Sequence, residues 1–168
     1  MKTYIDCGAF VGRTLEKYPA SEYKRYAFEC NPLLADVKYP EDVEVIREAV
    51  WVKNGIINFY VNNANHETEG CSVYKDKTTG DLNTVLPVQC IDFSEWLQPS
   101  SYTIVKMNIE GAEYEVLEKC IETGTINLIH ELFIYWHFGK IPSITAERHD
   151  NLVQKLKTIF GDRLHSLI

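Results

Sequence analysis

Two short apolar segments near the start of the chain, each leading to an acidic residue, constrain the fold most. The first, Tyr-Ile-Asp-Cys-Gly, places Asp6 just before a turn at Gly8, and the second, Tyr-Ala-Phe-Glu, ends at Glu29, 21 positions after Gly8. In α/β domains this spacing is typical of a nucleoside site, because one buried strand leads into a glycine turn and the next brings a carboxylate to the ribose hydroxyls. The segments therefore predict a pocket for a cofactor that contains adenosine.

Strand and helix patterns alternate along the chain, which predicts an α/β fold with a mainly parallel sheet and helices on both faces. The predicted strands are 3–7, 25–30, 43–52, 56–61, 85–91, 102–109, 127–136 and 164–168. The predicted helices are 12–18, a turn from Pro32, a short helix capped by Asp92, 112–122 and 145–160. Lys53-Asn54-Gly55 predicts a hairpin after the third strand. Ligands of such a sheet bind at the carboxyl ends of its strands.

Length and composition predict a single domain over residues 1–168 in a cytoplasmic protein. No apolar segment approaches the roughly 20 residues that span a bilayer, and no signal peptide precedes the first strand, so we expect no membrane partner. The net charge of −7 without a basic cluster argues against a nucleic-acid partner. Five cysteines without a CxxC pair predict free thiols in a reducing compartment.

The first glycine turn has the pattern D-x-G-x-x-x-G, which differs from the dinucleotide motif G-x-G-x-x-G. Phe10 stands where that motif has its second glycine, which lets the backbone approach a pyrophosphate. A side chain at this position suits a cofactor without a pyrophosphate, such as S-adenosylmethionine. An ordinary strand–turn–helix corner would have the same pattern. The candidate cofactor residues in this segment are Asp6, Gly8, Ala9, Phe10 and Gly12.

Further cofactor contacts are predicted at the end of the second strand and within the third. Glu29 would accept hydrogen bonds from the ribose hydroxyls, and its neighbours Cys30 and Asn31 are candidates with it. Glu48 and Ala49 lie where this architecture places contacts to adenine, although Glu48 would equally serve as a surface acid.

The segment Lys-Met-Asn-Ile-Glu-Gly-Ala-Glu, residues 106–113, ends a buried strand in polar side chains and turns at a glycine into a helix. Asn108 and Glu110 alternate with apolar residues and therefore share one strand face near the cleft, and Asn108 is the last candidate residue for binding the cofactor. Glu113 falls in the first turn of the helix, where the helix dipole stabilises a carboxylate.

These segments together resemble the FkbM-type S-adenosylmethionine-dependent methyltransferases. The resemblance covers roughly residues 3 to 136 and is carried by IDCGAFVG, FECNP, EAVWVKNGIINFYV and IVKMNIEGAEYEVL. It implies a Rossmann-like class I methyltransferase fold in which Asp6, Gly8 and Glu29 face the cofactor and Glu110 lies near the cleft. It also implies methyl transfer, most often to a hydroxyl group of a sugar or natural product.

The chain departs from the family pattern in two ways. Asn108 stands where the family usually carries aspartate, and an asparagine cannot act as a base. Relative to larger members, the fold is expected to be shortened at both termini. The pocket would then be more open, or a second subunit in a homodimer would close it.

The remaining polar cluster surrounds the end of the strand predicted at 127–136. His137 would lie at its rim, and its unperturbed pKa of about 6.5 suits a general base that takes the proton of a hydroxyl acceptor. An aromatic-packed core histidine would explain the same pattern. His66 is the second candidate base, and Glu131 is a further catalytic candidate with Glu110. A metal site from Glu110, Glu131 and His137 lacks a diagnostic spacing, so no metal is predicted.

We therefore predict an S-adenosylmethionine-dependent methyltransferase that O-methylates a small-molecule or glycan acceptor, with loop 62–84 as a lid or specificity element. A nicotinamide-dependent oxidoreductase is one alternative, against which Phe10 argues. A non-catalytic relative that retains the fold is the other, and Asn108 favours it.

Overall fold

The computed structural model describes residues 1–63 and 69–167, which form two β-sheets and three α-helices. The strands are β1 (Lys2–Cys7), β2 (Tyr23–Phe28), β3 (Val43–Ile46), β4 (Ala49–Trp51), β5 (Gly55–Val61), β6 (Thr84–Asp92), β7 (Thr103–Met107), β8 (Glu131–Tyr135) and β9 (Leu164–Leu167). The helices are α1 (Phe93–Trp96), α2 (Glu113–Thr123) and α3 (Ala146–Phe160). Short 3-10 turns span Leu15–Lys17, Pro32–Leu34, Thr125–Leu128 and Gly161–Arg163.

The larger sheet has six parallel strands in the order β3-β2-β1-β7-β8-β9, which is the Rossmann-like α/β arrangement that the sequence predicted. The chain runs outward from β1 to β3 and later returns to β7 on the other side of β1. Cys7 pairs with Phe28 of β2 and with Met107 of β7, so these three strands end at the same level. The edge between β1 and β7 is therefore the switch point at which such sheets bind ligands.

The three α-helices pack on one face of this sheet, whereas the sequence predicted helices on both faces. Met107 and Ile134 from the strands meet Leu117 of α2 and Leu156 of α3 in the main core, and all four side chains are buried. The other face carries Tyr4 and Ile104, covered by the 3-10 turn at Leu15–Lys17. The α-helix predicted at 12–18 is therefore wrong, because Gly12 has a positive φ of 78° and Pro19 leaves too few residues for helical turns. All five cysteines are free, as predicted.

The smaller sheet corrects two predictions about residues 43–61. The strand predicted at 43–52 is divided: β3 pairs with β2 in the large sheet, whereas β4 pairs with β6 in the small one. The hairpin predicted at Lys53-Asn54-Gly55 does not form, because β6 lies between β4 and β5 and pairs with both. Asn54 instead accepts the N–H of Asp92 at 2.9 Å and donates to Glu95 at 3.0 Å.

The ends of the helices follow local rules. The Asp92 carboxylate accepts the N–H groups of Ser94 and Glu95 and begins α1. Gly124, with a φ of 77°, ends α2, and the Thr145 hydroxyl accepts the N–H of Arg148 to begin α3. No helix in residues 1–63 and 69–167 is long and apolar enough to cross a membrane.

The strand predicted at 127–136 is shorter than expected. Its first residues belong to the 3-10 turn Thr125–Leu128, and β8 begins at Glu131. Ile126 and Ile129 are buried in the core without being in a strand, so the apolar pattern there reports burial and not extended structure.

Candidate functional site

A cavity of about 300 Å³ lies at the carboxyl ends of β1, β2 and β7. This volume falls at the lower end of the range of about 300 to 1,000 Å³ that is usual for small-ligand sites. Nine of the eleven residues predicted to bind the cofactor line it: Gly8, Ala9, Phe10, Glu29, Cys30, Asn31, Glu48, Ala49 and Asn108. Residues that the sequence assigned to four separate strands are thus brought together around one cavity.

The turn after β1 is held tightly between its two neighbouring strands. The N–H groups of Gly8 and Ala9 both donate to the carbonyl of Phe28, at 3.0 and 2.9 Å. A Cβ at position 8 would lie 2.1 Å from the carbonyl oxygen of Asn108, and φ is +78° there. Glycine is therefore required at this position, because only glycine lets the turn lie against the end of β7.

Glu29 is fixed by the backbone of this turn. Its two carboxylate oxygens accept the N–H groups of Phe10 at 2.8 Å and of Asn31 at 2.9 Å, and the residue is 8% exposed. Phe10 has a φ of 50°, which is rare for a side chain of this size and typical of functional sites. Burial raises the pKa of Glu29, and the two N–H groups partly offset that rise. The carboxylate therefore has a single fixed orientation at the end of β2.

Asp6 and Gly12, the other two predicted cofactor residues, do not line the cavity. Asp6 is fully buried beneath it, where one carboxylate oxygen lies 2.8 Å from Nζ of Lys106 and the other accepts a hydrogen bond from the Thr14 hydroxyl. Gly12 packs against the ring of Tyr39. The structure thus places Asp6 behind the cavity wall, as the partner of a lysine that does line it.

Glu110 also lines the cavity and is held by three residues from two other segments. Oε2 accepts Nζ of Lys77 at 2.6 Å and lies 3.3 Å from Nε2 of His137. The Ser72 hydroxyl donates to the Glu110 carbonyl at 2.7 Å. Glu110 has a φ of 56°, so Phe10 and Glu110, the non-glycine residues with positive φ in the described chain, both lie at this cavity.

His137 lies behind Glu110 and is buried between two carboxylates. Nδ1 is 2.6 Å from Oε1 of Glu113. Glu113 is fully buried, and its other oxygen, Oε2, accepts the N–H of Gly111 at 2.6 Å. Burial alone would lower the pKa of His137, but hydrogen bonds and charge from Glu110 and Glu113 raise it to about 9. An imidazolium cannot accept a proton, so its ionisation state does not support the base role predicted for His137.

The same network controls the ionisation of Glu110. Burial alone would raise the pKa of this carboxyl, but the hydrogen bonds and charges of His137 and Lys77 lower it to about 2. Glu110 is therefore an ionised hydrogen-bond acceptor that faces the cavity throughout the physiological pH range.

Glu131 is not brought to this site. It begins β8, at the opposite end of the strand from His137, and contacts His165 at 2.8 Å and the Tyr102 hydroxyl at 3.3 Å. The alternation of β8 placed it correctly on a strand, but its position along the strand is wrong for the cavity. In residues 1–63 and 69–167, no group of three His, Cys, Asp or Glu side chains is arranged to hold a metal ion.

The described part of the loop predicted as a lid is hydrogen-bonded to the segment that follows β8. Asp76 accepts the N–H of Ser143 at 2.9 Å, and the N–H of Thr78 donates to the carbonyl of Lys140 at 2.7 Å. Glu69, Gly70, Cys71 and Val73 line the cavity. His66, the second candidate base, lies outside the described residues.

Sequence reasoning missed three residues of the site: Lys77, Lys106 and Glu113. Lys106 stands in the distinctive segment 106–113, so its position among polar strand-end residues was a usable signal. Glu113 was attributed only to the helix dipole, although it also holds His137. Lys77 stands in a polar loop and no local pattern indicates its contact with Glu110.

Comparison with known proteins identifies a family for this chain. Residues 6–164 match the family described as the methyltransferase FkbM domain. The chain belongs to the FkbM methyltransferase family. Among solved structures, it is similar to the crystal structure of methyltransferase FkbM from Methylobacillus flagellatus KT, with a TM-score of 0.52 and 14% sequence identity. The match covers 96% of this chain and 39% of that protein, so this FkbM-family chain spans about two fifths of its length. No curated protein matches the sequence.

Proposed function

We propose that this FkbM-family methyltransferase uses S-adenosylmethionine and transfers its methyl group to a hydroxyl of a small-molecule or glycan acceptor. The observation that carries the proposal is the fixed carboxylate of Glu29 in the same cavity as the Gly8 turn. Each carboxylate oxygen accepts one backbone N–H and keeps a further lone pair. A carboxylate held in this way can accept hydrogen bonds from both hydroxyls of a ribose.

The rest of the cavity supports a cofactor of this size and shape. Glu48 and Ala49 line it near the start of β4, where they would contact the adenine ring. The Phe10 side chain occupies the position at which a dinucleotide enzyme admits a pyrophosphate, which disfavours the nicotinamide-dependent alternative. When bound, S-adenosylmethionine would supply a methyl group on a sulfonium, which is already strongly electrophilic.

Glu110 would bind the acceptor. Its Oε2 is engaged by Lys77 and His137, so within the described residues Oε1 is the oxygen left for a hydroxyl. As the hydroxyl oxygen bonds to the methyl carbon, the bond from that carbon to sulfur would break and S-adenosylhomocysteine would leave as a neutral thioether. The acceptor oxygen would then be an oxonium, a strong acid. A carboxylate with a pKa of about 2 suffices to take that proton, and a stronger base is not required. His137 and Lys77 would act by holding Glu110 in place.

A non-catalytic relative is the second candidate function. Asn108 lines the cavity in the position where the family usually has aspartate, and its N–H donates to the Cys7 carbonyl at 3.0 Å. Such a protein would bind the cofactor without transferring its methyl group.

Calorimetric titration with S-adenosylhomocysteine, with NAD as the comparison ligand, tests the cofactor. We expect micromolar binding of the first ligand alone. Glu29→Gln should weaken it at least about tenfold, since one charge-assisted bond to each hydroxyl is lost. Glu44→Gln removes an exposed carboxylate on β3 and should leave the affinity unchanged. Preferential binding of NAD, or equal affinity of Glu29→Gln and wild type, would contradict the proposal.

Transfer of a labelled methyl group from S-adenosylmethionine to a panel of sugars then separates an enzyme from a binder. Label in a sugar ether, abolished in Glu110→Gln with cofactor affinity intact, would support catalysis. Cofactor binding without labelling of any hydroxyl acceptor in the panel would favour the non-catalytic relative.

A further inference from the structure

Lys106 is a buried cation at the wall of the cavity. It is the fourth residue of β7, and its side chain is 9% exposed. Nζ donates to the carbonyl of Gly8 at 2.8 Å and lies 2.8 Å from Oδ1 of Asp6. Within residues 1–63 and 69–167, Nζ thus donates one hydrogen bond, to Gly8, and forms an ion pair with Asp6, whose Oδ1 has no hydrogen-bond partner there. An ammonium group carries three hydrogens, so at least one N–H remains for a ligand in the cavity that Lys106 lines.

The charges around the cavity indicate which kind of ligand group this N–H would bind. The lining carries the carboxylates of Glu29, Glu48, Glu69 and Glu110. In the described part of the lining, the cations that face them are Arg13 and Lys106. The amino-acid end of the proposed cofactor bears a carboxylate, which these acids would repel and which therefore requires a cation or several N–H donors.

Lys106 is better suited to that carboxylate than Arg13. Arg13 is exposed, so solvent screens its charge and its side chain loses freedom on binding. Lys106 is already ordered by Gly8 and Asp6, and a charged hydrogen bond is stronger where water is excluded. Asp6 offsets the cost of burying the ammonium, which explains why a fully buried acid lies behind the wall.

We propose that Lys106, held by Asp6 and the Gly8 carbonyl, binds the carboxylate at the amino-acid end of S-adenosylmethionine. This inference rests on the proposed function and assigns a residue to one end of that ligand. Lys106 would thereby join the turn after β1 to the bound cofactor.

The test compares two probes by calorimetry: S-adenosylhomocysteine, and its decarboxylated form, which keeps the amino group and lacks only the carboxylate. Wild type should bind the first at least about tenfold more tightly, the range of one charged hydrogen bond. Lys106→Met should reduce that preference to within about twofold by weakening only the first probe. Lys24→Met, which removes an exposed lysine of β2, should keep the wild-type preference.

Lys106→Met leaves Asp6 buried without its partner and can lower stability on that account. The second variant therefore combines Asp6→Asn with Lys106→Met, so that both charges are removed together. Thermal unfolding is measured for the single and the double variant. The comparison of the two probes on wild type requires no variant, and equal affinities there would overturn the proposal by themselves.

The outcomes separate this proposal from the proposed function. If wild type binds neither probe, the cofactor assignment fails and this inference fails with it. If wild type binds S-adenosylhomocysteine but Lys106→Met weakens both probes equally, Lys106 only holds the Gly8 turn and the inference is wrong. If Arg13→Met and not Lys106→Met removes the preference, the carboxylate binds at Arg13 instead.

Discussion

The burial of His137 between Glu110 and Glu113 predicts that stability decreases as the pH rises through a definite range. The pKa of His137 is raised from about 6.5 to about 9, and the imidazolium is the form that both carboxylates hold. A raised pKa means that the folded protein binds a proton that the unfolded chain has released. The contribution is therefore complete below about pH 6.5 and is lost as the pH rises through about 9.

The magnitude follows from the two pKa values. Their difference corresponds to about 3 kcal/mol, of which about 2 kcal/mol should be lost between about pH 7.5 and pH 9.5. The lowered pKa of Glu110 expresses the same interaction from the partner's side, so the two energies are not added. The stability that Glu110 contributes through its lowered pKa is present above about pH 4.5 and is lost toward pH 2, well below the range of about pH 7.5 to 9.5.

Urea unfolding at a series of pH values measures this loss. In His137→Gln the unfolding free energy should be lower at neutral pH and should fall about 2 kcal/mol less over the same range. Buried cysteines and tyrosines also titrate on unfolding, but they are common to both proteins and cancel in the difference. His165→Gln, in which a partly exposed histidine loses its contact with Glu131, should keep the wild-type slope. Equal slopes for His137→Gln and wild type would refute the ionisation described here.

Two further predictions concern the backbone. Gly8→Ala should lower the free energy of unfolding by at least about 3 kcal/mol, since its Cβ would lie 2.1 Å from the Asn108 carbonyl oxygen. Gly139→Ala, which has a similar φ but open space around the Cβ, should lower it by about 1 kcal/mol. Thermal unfolding of both variants separates the clash from the backbone strain, and equal losses would contradict the predicted clash. Thr145→Ala should lower the free energy of urea unfolding by about 1 kcal/mol, because the hydrogen bond that caps α3 at the Arg148 N–H is lost. Thr158→Ala, at an exposed position inside α3, should be neutral or slightly stabilising. The reverse order of the two stabilities would show that the cap contributes little.

The part of the cavity formed by Gly8, Glu29 and Asn108 could be predicted because its signals are local. Gly8, Glu29 and Asn108 each follow an apolar strand, and parallel strands bring such ends to one edge. The error at Asp6 has a physical origin. The alternation of side chains along β1 indicates the face on which Asp6 lies. It does not indicate whether the cavity or another side chain, here Lys106, lies against that face.

Strand pairing beyond the first sheet could not be read in the same way. Lys53-Asn54-Gly55 has the composition of a hairpin, yet β6 is inserted between the two strands that it was expected to join. Whether a turn sequence closes a hairpin depends on competition with residues more than 30 positions away, and a local pattern contains no information about that competitor.

The sequence by itself determined the family, the order of most elements and the edge of the sheet at which the ligand would bind, because these follow from short patterns repeated along the chain. Only the tertiary structure decided the ionisation of Glu110 and His137. Lys77 is 33 positions from Glu110, and His137 is 24 positions from Glu113. The pKa of a buried group depends on which charges surround it and on how little water reaches it, and both are properties of the folded chain.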